Sequence, residues 1–122
     1  MGGLTTLYTD KSIDFLKNRR DPKKPFVLYL AHTMMHTIID ASDRFRGNSK
    51  GGLYGDVVEE FDYETGRLLD VLDELKLSDN TLILYTSDNG PWNQDKYTKN
   101  KKGHPEGSIS VSYTHLRAHE TV

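Results

Sequence analysis

Cysteine is absent from this 122-residue chain. That excludes disulfides, thiolate metal sites and a cysteine nucleophile within it, but does not settle the compartment. Long apolar runs are missing too. No segment approaches the ~18 residues of a membrane-spanning helix. The opening Met1-Gly2-Gly3 lacks the basic-then-apolar order of a signal peptide, which points to a cytosolic protein or to an N-terminus that is not the true one. Charge of one sign is also lacking. The formal net charge is -2, so no global basic field favours nucleic acid. Lys99, Lys101 and Lys102 cluster but read most simply as a solvated loop. Only 35% of the residues are hydrophobic, so any core must come from a few concentrated segments. No internal repeat or domain boundary stands out.

What is there has a clear order. Residues 10–19 are expected to be helical, with Thr9 as cap, Asp10 in the first turn and Ile13 and Leu16 at helical spacing. Asp21-Pro22-Lys23-Lys24-Pro25 breaks the chain, because each proline disfavours a helical predecessor. Phe26-Val27-Leu28-Tyr29-Leu30 follows as a continuous β-prone run, the pattern of a strand buried on both faces. Ala31 to Lys50 has no periodicity, and an irregular stretch of that length is often functional.

The strongest helix signal spans 53–75, where Leu53, Val57, Phe61, Leu68, Leu72 and Leu75 share one stripe. Asp56, Glu59 and Glu60 lie toward its N-terminal end, which suits the helix dipole. Gly66 costs such a helix about 1 kcal/mol relative to alanine and is expected to mark close packing. Thr81-Leu82-Ile83-Leu84-Tyr85-Thr86 reads as a second buried strand. Strand 26–30, helix 53–75 and strand 81–86 therefore make one expected βαβ unit, with parallel strands and a right-handed crossover.

In open α/β sheets, ligands bind at the carboxyl ends of the strands. His32 and His36 follow the first strand; Ser87-Asp88-Asn89-Gly90 follows the second. Asp88 and Asn89 offer one anionic and one neutral oxygen donor, the kind that a hard cation such as Ca²⁺ or Mg²⁺ takes. Asp-Asn-Gly is also a strong turn signal, and both readings stand on the residues alone. His36 or His32 could donate hydrogen bonds to an anion or act as an acid, or be solvated or structural. Nothing in the residues themselves chooses between them.

Taken in order, these motifs resemble the sulfatase family. Pro25 to His36 resembles its strand leading to a substrate-binding histidine. Gly52 to Asp62, continued by Gly66-Arg67-Leu68-Leu69, resembles its next helix. Asp79 to Trp92 is similar to its metal-binding strand and turn. The likeness runs from about Leu4 to about Ser108, with residues 1–110 as a piece of the catalytic domain.

The resemblance implies an α/β fold like that of alkaline phosphatase, a three-layer sandwich of mixed sheet between helices. It also implies hydrolysis of sulfate esters, with a sulfated small molecule or glycan as substrate. A divalent cation, commonly Ca²⁺, would be held partly by Asp88 and Asn89, and His36 would contact the sulfate. The nucleophile of the family is formylglycine, made from the first residue of a Cys/Ser-x-Pro-x-Arg motif.

The sequence departs from the pattern at both ends. None of Pro22, Pro25, Pro91 or Pro105 stands in a Ser-x-Pro-x-Arg frame, and the family's N-terminal aspartate pair is missing. Residues 111–122 resemble nothing in the family and are expected to be foreign sequence. His115 and His119 there mimic a helical metal pair without a third ligand in view. Two enzyme readings follow, a sulfatase and a phosphoester or phosphonate hydrolase of the same superfamily. A third is a truncated α/β module without catalysis, and the isolated chain is expected to be inactive.

Overall fold

The computed structural model describes residues 2–36 and 38–87. Helix α1 covers Leu4–Asp14 and runs on through one wider π-helical turn, Phe15–Arg19. It begins several residues before the expected start, at Gly3 with φ 106°. Thr9 is therefore not a cap. It sits inside the helix, buried, with its hydroxyl donating to the Thr5 carbonyl at 3.1 Å. Ser12 donates likewise to Tyr8 at 2.8 Å. Back-bonding of this kind satisfies short polar side chains within their own helix. Thr9 and Ser12 can thus be buried without leaving their hydroxyls unpaired.

Helix α2 covers Gly52–Glu74, close to the expected span. Its stripe is buried as the periodicity requires: Val57 and Leu72 almost completely, Leu53, Phe61 and Leu68 in part. Its end is a Schellman motif. Lys76 takes the left-handed conformation (φ 56°), its N–H bonds to Asp73 at 2.9 Å, and the Leu77 N–H bonds to Leu72 at 2.8 Å. Leu77 then folds onto the cluster that contains Leu72, the apolar contact that usually accompanies this cap.

The two helices lie side by side and run the same way. Thr6 meets Glu60 and Glu64, Asp10 meets Arg67, and Lys17 meets Glu74. Two apolar clusters form along α2. Leu16, Val71 and Leu72 centre the first, with Phe26 and Leu68 packed on it. Met34, Ala41 and Val57 centre the second, with Ile39, Phe45 and Leu53. The irregular stretch between the helices thus contributes to the core at both ends.

The expected strands are not formed. Among the described residues there is no strand, and the βαβ unit over 26–30, 53–75 and 81–86 is present only as its helix. Nor are the two apolar runs buried on both faces. Phe26, Leu28 and Leu30 are partly covered, while Val27 is 93% and Tyr29 89% exposed. In the second run Leu82 and Leu84 are more than four-fifths exposed. The reason is physical. An extended run becomes a strand only when a neighbour accepts its backbone N–H and C=O groups, and neither run supplies the other with that ladder. Both remain irregular segments with apolar side chains toward solvent. Among the described residues no helix is long and apolar enough to cross a membrane.

Candidate functional site

Phe61, midway along α2, organises the surroundings of the predicted site. His32 packs edge-on against its ring with centroids 4.9 Å apart. Tyr85 approaches the same ring at 6.0 Å. His32 comes just after the first apolar run and Tyr85 lies near the end of the second. The carboxyl ends of both runs therefore converge on one turn of α2, even without a sheet between them.

The two histidines occupy different environments. His32 is half-buried between Phe61 and Tyr8, the latter at 6.0 Å. Among the described residues its Nδ1 is buried with no hydrogen-bond partner. Burial pushes its pKa below the ordinary 6.5, and the nearby Glu64 carboxylate opposes that shift. His36 is exposed in a turn, its N–H bonded to the Thr33 carbonyl at 3.1 Å. On one side of it Met34 is buried in the second cluster; on the other Ala41 is 0% exposed in the same cluster. His36 thus stands at the tip of a loop whose two feet are in the core.

Asp88 and Asn89 lie outside the described residues, as do Lys99, Lys101, Lys102, His115 and His119. Among the described residues no group of three or more His, Cys, Asp or Glu could hold a metal ion.

Three acids on α2 carry an organisation that the sequence reading missed. Asp56, Glu60 and Glu64 are each 1–2% exposed. Their four-residue spacing puts them on one side of the helix. Asp56 accepts the Gly47 N–H and the Ser49 N–H, one on each oxygen, at 2.8 Å each. These bonds hold its carboxyl below the usual carboxylate range. Glu60 accepts the Ser42 N–H at 2.8 Å, and its other oxygen and Glu64 share the Thr6 hydroxyl at 3.1 Å. Arg67 bonds to Glu64 at 2.6 Å and to Asp10 on α1 at 2.8 Å. The helix dipole explains little here, since Glu59, at the same end, is exposed. What separates them is their targets: the buried acids take donors from the loop and from α1. The spacing was visible in the sequence, but the donors sit on backbone without periodicity.

A family model for sulfatases matches residues 1–113, and the chain belongs to the sulfatase family. It is 41% identical over 87 residues to the N-acetylgalactosamine-6-sulfatase of Canis lupus familiaris, covering 71% of this chain and 17% of that protein. It is 42% identical over 87 residues to the steryl-sulfatase of Homo sapiens, covering 71% of this chain and 15% of that one. The steryl-sulfatase of Mus musculus is 46% identical over 89 residues, with 73% and 14% covered. The chain therefore spans about a sixth of the length of these relatives.

Proposed function

We propose that this chain is a piece of the catalytic domain of a sulfuric ester hydrolase, with an alkaline-phosphatase-like α/β sandwich in the whole protein. The sulfatase match over 1–113 carries the reading, since both kinds of relative are named for removing sulfate, one from a sugar and one from a sterol. The convergence of the two runs on Phe61 supports it, because His36 follows one run and Asp88 and Asn89 follow the other. In this reading residues 1–110 belong to the catalytic domain, and of the tail 111–122 only the first three residues fall within the family match. The substrate would be a sulfated small molecule or glycan.

Asp88 and Asn89 match a hard cation in donor type, and they would hold a divalent ion such as Ca²⁺, which neutralises charge on a bound sulfate when present. Two residues fill too few of the ~6–8 oxygen positions that Ca²⁺ prefers, so the rest would come from elsewhere in the whole protein. His36, exposed on its anchored loop, would donate a hydrogen bond to a sulfate oxygen. A formylglycine nucleophile has no precursor here, since the chain holds neither cysteine nor a Ser-x-Pro-x-Arg frame.

The test has two parts. The 122-residue chain, assayed on an aryl sulfate with added Ca²⁺, is expected to give no turnover; turnover abolished by Asp88→Ala would show that the nucleophile has been misplaced. The full-length protein is expected to hydrolyse the aryl sulfate and to lose that activity on Asp88→Ala or His36→Ala. Faster cleavage of an aryl phosphate or phosphonate would overturn the sulfatase reading in favour of its superfamily relatives.

A further inference from the structure

We propose that Glu60, with Asp56 one turn before it, is a positioning residue that sets where His36 stands by holding the backbone of the 38–49 loop. The inference rests on the role given to His36 above. The loop has no regular secondary structure, so its N–H groups take acceptors from elsewhere. Three of them, on Ser42, Gly47 and Ser49, find carboxylates on α2 at 2.8 Å each. Burying a carboxylate is unfavourable unless donors surround it. These two are almost fully buried and face loop backbone, so the arrangement is stable only with the loop in place.

The geometry links these bonds to His36. Ala41, next to Ser42, is packed with Met34 and with Val57, the neighbour of Asp56. Asp40 accepts the Gly2 N–H at 2.7 Å, and Arg46 bonds to both Asp40 and the Ala41 carbonyl. The C-terminal foot of the His36 tip is thus tied to α2 through Glu60 and to the start of α1 through Asp40. Its N-terminal foot is held by the packing of Met34 in the second cluster and by the turn bond from the His36 N–H to the Thr33 carbonyl. Releasing Ser42 from Glu60 removes the polar tie of this foot to α2 and lets the tip drift. Glu60 acts on the reaction only through the loop.

The experiment uses the full-length enzyme with an aryl sulfate and Ca²⁺. Glu60→Ala is expected to lower kcat/KM by about 10- to 100-fold, the range for a small misplacement of a reacting group. Glu60→Gln, which keeps an acceptor oxygen for Ser42, is expected to retain most activity. In a His36→Ala background, Glu60→Ala is expected to cost less than about 2-fold, because its effect passes through the missing side chain. Multiplicative losses in the double variant would overturn the proposal while leaving the sulfatase reading intact.

Amide hydrogen exchange runs in parallel. Residues 38–49 are expected to exchange faster in Glu60→Ala while 66–74 stay protected; an unchanged loop also overturns the proposal. If the alanine variant does not fold, Glu60→Asp, which withdraws the carboxylate by one methylene, takes its place with the same expectations at smaller size. If the wild-type enzyme has no sulfatase activity, the functional reading fails, and the exchange comparison still decides whether Glu60 orders the loop.

Discussion

Two of the glycines in helix α2, Gly55 and Gly66, should respond in opposite ways to the same substitution. Gly66 is an interior helical position where an added Cβ meets nothing within 4 Å. Gly66→Ala therefore keeps only the backbone benefit, about 0.8–1.0 kcal/mol of added stability. In a unit of this size that is worth roughly 4–8 °C in Tm. Gly55 lies one turn into the same helix, but a Cβ there would overlap Ser49 Oγ and meet Ser49 Cβ at 3.0 Å. Turning the hydroxyl away does not remove the second clash, so Ser49 itself must move. Its N–H bonds to Asp56 and its Oγ accepts the Gly51 N–H at 2.9 Å, so the loop moves with it. Overpacking of this sort costs about 1–3 kcal/mol, which cancels or exceeds the helix gain. Urea unfolding in dilute solution, followed by far-ultraviolet circular dichroism, measures both. A rise in midpoint for Gly66→Ala with a fall or no change for Gly55→Ala is expected. Equal rises would refute the claim that Gly55 is kept for the close approach of Ser49.

Lys76 holds a left-handed conformation that costs a side-chain residue about 1–2 kcal/mol, so Lys76→Gly should raise the unfolding free energy measured in urea by about 1 kcal/mol net of the added chain freedom; a decrease would mean the Lys76 side chain stabilises more than its backbone loses. The His32 pKa is lowered in the folded protein, so the unfolded chain binds the extra proton below the ordinary 6.5. Its contribution is therefore fully present above pH 6.5 and is lost as pH falls toward the lowered value. His32→Phe should flatten stability across that window in urea titrations at stepped pH, and an unaltered slope would place the titration elsewhere.

Helix 53–75 was legible because its signal is local: six apolar residues at one spacing need no knowledge of the partner. The same logic fails for Phe26–Leu30 and Thr81–Thr86. Their composition states a preference for extended backbone, but a strand is a property of a pair, and the pairing partner is not written in the segment. Thr9 misled for a related reason. A threonine before an acid is a plausible cap, yet the hydroxyl is equally satisfied by the Thr5 carbonyl one turn back, and nothing local separates the two. Gly66 was expected to mark close packing and does not; Gly55, which does, carried no local sign of it, since its contact is with a loop. His36 is set apart from His32 by the resemblance to the sulfatase family and by nothing in the residues themselves. Its exposure and its anchoring depend on Met34, Ala41 and Glu60, which no periodicity connects.

These observations make α2 the common reference for the chain's chemistry. Its apolar stripe holds both clusters, its buried acids hold the loop that carries His36, and Phe61 receives the ends of both extended runs. All three depend on helical phase. Shifting the register by one residue between Val57 and Glu60 would rotate everything beyond by about 100°. Glu60 would leave Ser42, and Phe61 would leave His32 and Tyr85, in a single step. A sheet, where formed, fixes the direction of the runs that lead into the site. The helix fixes which of their residues meet, and among the described residues it does so without a sheet.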